Sequence, residues 1–140
     1  MKKENLPICT NCETGHLHRA IRDVKVIRQS LKATVKNIAG LFCDKCNEIE
    51  FDDNTDSAQR YAAAGDKLVL KNREAVAAAL RLQRKRLKLT QTQASIITGG
   101  GHNAFSRYET GAAQPLPAVV NLFKLLDKHP EMLKELDLAG

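Results

Sequence analysis

A chain of 140 residues, 43% of them hydrophobic and 27% charged, has room for one ordinary domain or two small ones and is too apolar to stay disordered. Aromatic residues make up only 4%, with no Trp, which is too few to build a stacking platform for single-stranded nucleic acid. No apolar run approaches the roughly 18 residues of a membrane span, and the opening MKKENLPICTNC is charged without an apolar stretch of signal-peptide length, so a cytoplasmic protein is expected.

The formal charge of +6 and a pI near 9.3 favour a polyanionic partner. The excess is regional. Residues 67–107 carry nine Lys/Arg against one Glu, whereas residues 1–60 come to +1 and residues 108–140 to −2.

In chain order, the first half reads as strand-rich. The stretch VKVIRQSLKATVKNIAGLF interleaves Val24, Val26, Leu31, Val35 and Ile38 with polar and basic residues, and short antiparallel strands are expected there. The segment 47–66 turns acidic and then Ala-rich, with a helix expected from a cap near Asp56 or Ser57 and ending at Gly65. From Val69 onward the pattern is helical, with Val76, Ala79, Leu80 and Leu87 at helix spacing. A break at KLTQ follows, where Thr90 can cap a new helix that runs through Ile96. Gly99, Gly100 and Gly101 stop that helix, another runs from about Asn103 to Glu109 and is closed by Gly111, and Pro115 and Pro117 precede a helix whose Val119, Leu122, Phe123 and Leu126 share one face. A last amphipathic turn follows Pro130. The expected class is α+β: a small β-rich domain over residues 1–66, which holds every cysteine, then an all-α domain over residues 67–140.

All four cysteines lie in the first half, as Cys9–x–x–Cys12 and Cys43–x–x–Cys46 with 30 residues between the pairs. Each short spacing lets two thiolates from a tight turn converge on one tetrahedral cation, and four thiolates make a closed structural site. Zinc is the default ion; four-thiolate iron would use the same ligands. Disulfides are the structural alternative, but no export signal places the chain in an oxidising compartment, and paired reduced cysteines then read as metal ligands. A thioredoxin-like role would need the first pair to open a helix, whereas ETGHLH after Cys12 reads as a turn. His16 and His18 are surface or supporting residues, because four cysteines already complete the shell. A full shell also leaves no position for metal-activated water, so an enzyme is not expected.

Residues 87–111, LKLTQTQASIITGGGHNAFSRYETG, give a capped helix, a turn and a second short helix inside the basic region, the layout of a helix-turn-helix. Ala94 and Ile97 can pack inward from the first helix and Phe105 and Tyr108 from the second, which leaves Asn103, Ser106 and Arg107 outside. Asn103 and Arg107 are four apart and therefore stacked on one face, where an amide suits adenine and a guanidinium suits guanine. An Asn at a helix start is also a common cap, and an exposed Arg a common solvated side chain. Their joint place beside LRLQRKRLKLTQ favours DNA contact. Arg84 and Lys85 in that run, Thr90 and Gln91 at the next helix start, and His102 and Ser106 beside the base readers are the expected phosphate contacts.

The motifs CTNC, CDKC, LTQTQASIITGGGHNAFSRYETGAAQP and LLDKHPEML together resemble the MqsA-type antitoxins over essentially the whole chain, most specifically in the glycine run with NAFSRYE. The resemblance implies a first domain that binds one structural zinc and grips a cognate ribonuclease toxin. It also implies a second, Xre-like (lambda-repressor-like) domain that dimerises and represses its own operon at a palindrome. By position it implies zinc ligation by Cys9, Cys12, Cys43 and Cys46, base reading by Asn103 and Arg107, and a phosphate contact by Lys67 in the interdomain region. Glu109 resembles the glutamate of Xre-like domains that pairs with a first-helix arginine, here Arg84, so that pair is expected to be structural. Two departures bear on toxin choice: the leading MKKENLPI, and a strand region IRDVKVIRQSLKATV without the family's aromatic positions.

A single helix-turn-helix covers little DNA, so a homodimer on two half-sites is expected. Leu116, Val119, Leu122, Phe123, Leu126, Met132, Leu133 and Leu136 exceed what three short helices need for a core, and some are expected at the dimer interface. The competing function is a stand-alone zinc-stabilised helix-turn-helix regulator without a toxin. The run from Asp44 to Asp56, six Asp/Glu against one Lys, suits either a basic toxin or a solvated linker.

Overall fold

The computed structural model describes residues 6–139; most of the leading MKKENLPI, residues 1–5, lies outside the described residues. The chain forms two compact units, Met1–Val69 and Leu70–Gly140. Among the described residues, no helix is long and apolar enough to cross a membrane.

The first unit is an antiparallel sheet in the order β1-β2-β3, with β1 at Leu17–Arg28, β2 at Leu31–Cys43 and β3 at Ile49–Phe51. Strands β1 and β2 are 12 and 13 residues long, well beyond the short strands expected from sequence. They persist because an irregularity at Asp23 absorbs the mismatch between them. Register passes from Arg22↔Ile38 to Val24↔Val35, Asn37 takes a φ of 54°, and the Asp23 carboxylate accepts its N–H at 3.0 Å. Arg22 and Val24 face one side, so their partners Ile38 and Val35 do as well, although two residues, Lys36 and Asn37, separate them where a regular strand has one. That shift is what lets Val24, Val26, Val35 and Ile38 line a single apolar face, with Val26 and Ile38 fully buried. Gln29, with φ 55°, and Ser30 make the two-residue hairpin turn.

Helix α1, Ser57–Arg86, runs straight through Gly65, where sequence reading ends it. Gly65 acts as a packing position. A Cβ there would crowd the Arg28 guanidinium, whose Nη2 would lie 2.9 Å away, and Arg28 in turn lies over the Tyr61 ring. One interior glycine costs a helix about 1 kcal/mol, which thirty residues can carry. The start of α1 is tied to the sheet: Ser57 Oγ, buried, accepts the Ala39 N–H at 3.0 Å, and Arg60 donates to the Lys36 and Asn37 carbonyls at 2.7 and 2.8 Å.

The second unit packs the latter part of α1 with α2 (Gln91–Ile97), α3 (Ala104–Glu109), α4 (Pro117–Lys128) and a 3-10 helix at Pro130–Glu135, which is the last amphipathic turn. Its core is Leu80, Leu87, Leu89, Ala94, Phe105, Val119, Phe123 and Leu126. Ala79, read from spacing as inward, is exposed; Ala77 takes the buried position. Phe105 and Phe123, both fully buried, meet with ring centroids 4.8 Å apart, and Tyr108 meets Phe105 edge-on at 5.9 Å.

Candidate functional site

In the first unit, two turns bring the four cysteines together. Their Sγ atoms all lie within 4.8 Å of one another, with Cys9–Cys46 and Cys12–Cys43 each at 3.7 Å. A tetrahedral ion with sulfur bonds of about 2.3 Å has sulfur–sulfur edges of about 3.8 Å, so the donor set fits a four-thiolate metal and all four thiols are free of disulfides. Backbone N–H groups point at the sulfurs: Gly15 to Cys12 at 3.3 Å, and Lys45 and Cys46 to Cys43 at 3.3 and 3.4 Å. Hydrogen bonds from the Thr14 and Gly15 backbone pull the Cys12 thiol down to about 6, which makes it a thiolate ready to ligate at neutral pH. After Cys12 the chain turns and enters β1, with no helix to support a thioredoxin-like role. His16 and His18 stay outside the shell; Asp44 accepts the His16 N–H at 2.8 Å and lies 3.5 Å from His18 Nε2.

Gly15 was not singled out from sequence. A Cβ at this position would overlap Cys43 Sγ, so only glycine lets the two cysteine turns close on each other. Unit 1 also separates its charges. Residues 17–43 hold six Lys/Arg and one Asp, whereas 44–56 hold the acidic run, a contrast hidden by the near-neutral sum over residues 1–60.

In the second unit, α2 opens with a reciprocal cap: Thr90 Oγ1 accepts the Gln93 N–H at 3.1 Å, and Gln93 Oε1 accepts the Thr90 N–H at 2.9 Å. The turn to α3 needs its glycines. Gly99 has a φ of 68°, and a Cβ on Gly100 would lie 2.6 Å from that of Ala104. Ser95, buried and absent from the sequence-derived candidates, spans this turn by donating to the Gln91 carbonyl at 2.9 Å and accepting the Phe105 N–H at 3.1 Å.

Asn103 stands at the N-cap of α3 but makes no side-chain cap hydrogen bond, so its amide is uncommitted. Arg107 is exposed, and no ion pair among the described residues engages it. The Arg107 N–H donates to the Asn103 carbonyl at 3.2 Å, which sets the two residues one turn apart. Lys67, Lys85, Thr90, Gln91 and His102 are exposed and Ser106 is half-buried.

Arg84 is placed differently from the other phosphate candidates. Its Nε and Nη2 donate to the Glu109 carboxylate, its Nη1 donates to the Leu89 carbonyl at 2.9 Å, and the two side chains are 13% and 5% exposed. The guanidinium faces inward. Gln91 Nε2 donates to the same carboxylate at 2.9 Å. Burial works to raise the Glu109 pKa, but the Arg84 and Gln91 hydrogen bonds and the charges of Arg84 and Arg81 outweigh it and hold the group below the usual carboxylate range.

An apolar groove of about 370 Å³ lies between α4 and the 3-10 helix, lined mainly by Leu122, Leu125, Leu126, Met132 and Leu136. Leu116, Leu125 and Met132 are 69%, 59% and 51% exposed. Leu125 falls outside the stripe read from sequence, since its neighbours Leu122 and Leu126 fill the inward positions.

Against known proteins, the family described as the antitoxin component of a bacterial toxin-antitoxin system, MqsA, matches residues 8–137. The chain is 42% identical over 130 residues to Antitoxin MqsA of Escherichia coli (strain K12), covering 91% of this chain and 98% of that protein.

Gly15→Ala should lower bound metal below one equivalent per chain, as read by elemental analysis of the purified protein; full occupancy with unchanged thermal stability would contradict the packing. For Glu109, a carboxyl group whose folded pKa is depressed stabilises the fold at pH above its unfolded value, and that stability is lost as pH falls through the folded one. Urea unfolding followed downward from pH 7 should therefore show stability falling below about 4.5, the ordinary Glu value, and Glu109→Gln should flatten that slope.

Proposed function

Because the chain belongs to the MqsA antitoxin family, we propose that it neutralises a cognate ribonuclease toxin and, as a homodimer, represses transcription from palindromic operator DNA. The observation that carries the DNA reading is the uncommitted pair at α3: the Asn103 amide and the Arg107 guanidinium, one turn apart, both exposed and both without side-chain partners among the described residues. An amide of this kind can pair bidentately with adenine and a guanidinium with guanine, each good pair giving about 1–3 kcal/mol of discrimination. Phe105, on the opposite side of the same short helix, anchors it in the core, so the readers project from a fixed base.

Around them, Lys85, Thr90, Gln91, His102 and Ser106 are proposed to meet the phosphate backbone and set register, with Lys67 adding a contact from α1. Arg84 is assigned a structural role because its guanidinium is turned to Glu109. The dimer is proposed to form across exposed apolar surface that includes Leu116 and the groove residues Leu125 and Met132, which a second copy would remove from water.

In the first unit, zinc is the proposed ion. It would cross-link two turns through Cys9, Cys12, Cys43 and Cys46 and supply folding free energy to a sheet with a small core. Four cysteines complete the shell, so the metal is assigned to stability and the protein to regulation in the cytoplasm rather than to catalysis. The toxin is proposed to dock on this unit, whose acidic run at Asp44–Asp56 suits a basic ribonuclease surface.

With a duplex carrying the promoter of its own gene, Arg107→Ala should cost about 1–3 kcal/mol in binding and relax base preference at one position of each half-site. Lys85→Ala should weaken binding to all duplexes alike and reduce the salt slope by about 1. Both are read by fluorescence anisotropy across a salt series, and an unchanged footprint for Arg107→Ala would overturn the base-reading role. Co-expression with the product of the adjacent reading frame should yield a co-purifying complex without ribonuclease activity. A free partner would favour a regulator that acts alone.

A further inference from the structure

The hydrogen bond between Gln91 and Glu109 links the two faces of the helix-turn-helix. Gln91 is the first residue of α2 and is exposed; Glu109 is the last residue of α3 and its side chain is buried. A carboxylate only accepts hydrogen bonds, so the Gln91 atom facing it must be the amide nitrogen. One of the two Nε2 hydrogens is used there, at 2.9 Å, and the other is left on an exposed residue. Glu109 itself cannot turn away, since Arg84 from α1 grips both of its oxygens.

We infer that Glu109 is a positioning residue for DNA: held by Arg84, it fixes the sense of the Gln91 amide so that an N–H, and not the carbonyl oxygen, is offered to a backbone phosphate. This rests on the proposed DNA-binding reading and extends it. A free glutamine amide at a protein surface presents oxygen as readily as nitrogen, and the oxygen would repel a phosphate. Anchoring the nitrogen end removes that wrong orientation and part of the rotamer entropy otherwise lost on binding, an effect worth roughly two- to tenfold in affinity. The same carboxylate joins α1, α2 and α3, so the phosphate donor on α2 and the base readers on α3 keep one spacing.

The test is a double-mutant cycle in the full chain, read as affinity for a duplex carrying its own promoter. Gln91→Ala is measured in the wild-type background and in an Arg84→Met/Glu109→Met background, where the buried pair is replaced by apolar side chains of similar size. Gln91→Ala should cost roughly two- to tenfold in the first background and little in the second. An equal cost in both, or none in either, would overturn the inference while leaving DNA binding intact. A wild-type chain that ignores the duplex would instead overturn the DNA reading. Should the doubly substituted background not fold, the wild-type protein decides: the Gln91 side-chain amide signals in nitrogen-15 NMR should shift as Glu109 titrates, and signals that stay still through that titration would overturn the coupling.

Discussion

A helix of six residues cannot hold itself together in water, because nucleating a turn costs more than so few backbone hydrogen bonds return. Helix α3 exists only because Phe105 is fully buried against Phe123 and because the Ser95 hydroxyl receives its backbone N–H. Everything offered on its outer face depends on that anchoring. Asn103 and Arg107 are free to meet a ligand because Phe105, between them in sequence and on the opposite side, has already fixed the helix. The glycine turn serves the same end, since Gly100 has to let α3 approach without a Cβ in the way.

The first unit answers a comparable problem with metal-ligand chemistry. Its sheet buries few large side chains, and the long β1–β2 hairpin would be marginal as a two-stranded ribbon. Two turns with four thiolates at one end, and the start of α1 tied to the β2 irregularity by Ser57 and Arg60, hold that hairpin at two places. The cysteine turns depend in turn on the bare Cα of Gly15, so the closed geometry of the metal centre rests on a residue that is not a ligand.

The metal centre was legible almost entirely because ligand identity and spacing are local properties: two Cys–x–x–Cys pairs need no knowledge of the rest of the fold to suggest one ion. The helix-turn-helix was nearly as legible, since Thr90, the glycine run and Gly111 punctuate it within the sequence. The continuation of α1 through Gly65 was hidden, because a glycine stops a helix or packs within one according to what lies across from it, and Arg28 is 37 residues away in the chain. The same reason conceals Ser95, whose role is to reach Phe105 across the turn.

Composition, spacing and periodicity thus determined which chemistry is present: four soft ligands in one half, a basic helical half, and an amide and a guanidinium stacked on one short helix. Only the folded chain decided which of those groups are free to act. Asn103 and Arg107 remain uncommitted, whereas Arg84, equally basic in the sequence, turns inward to Glu109. Spacing along a chain fixes which residues share a helix face; whether a charged group on that face meets water or a buried carboxylate depends on neighbours that only tertiary packing brings within a few ångströms.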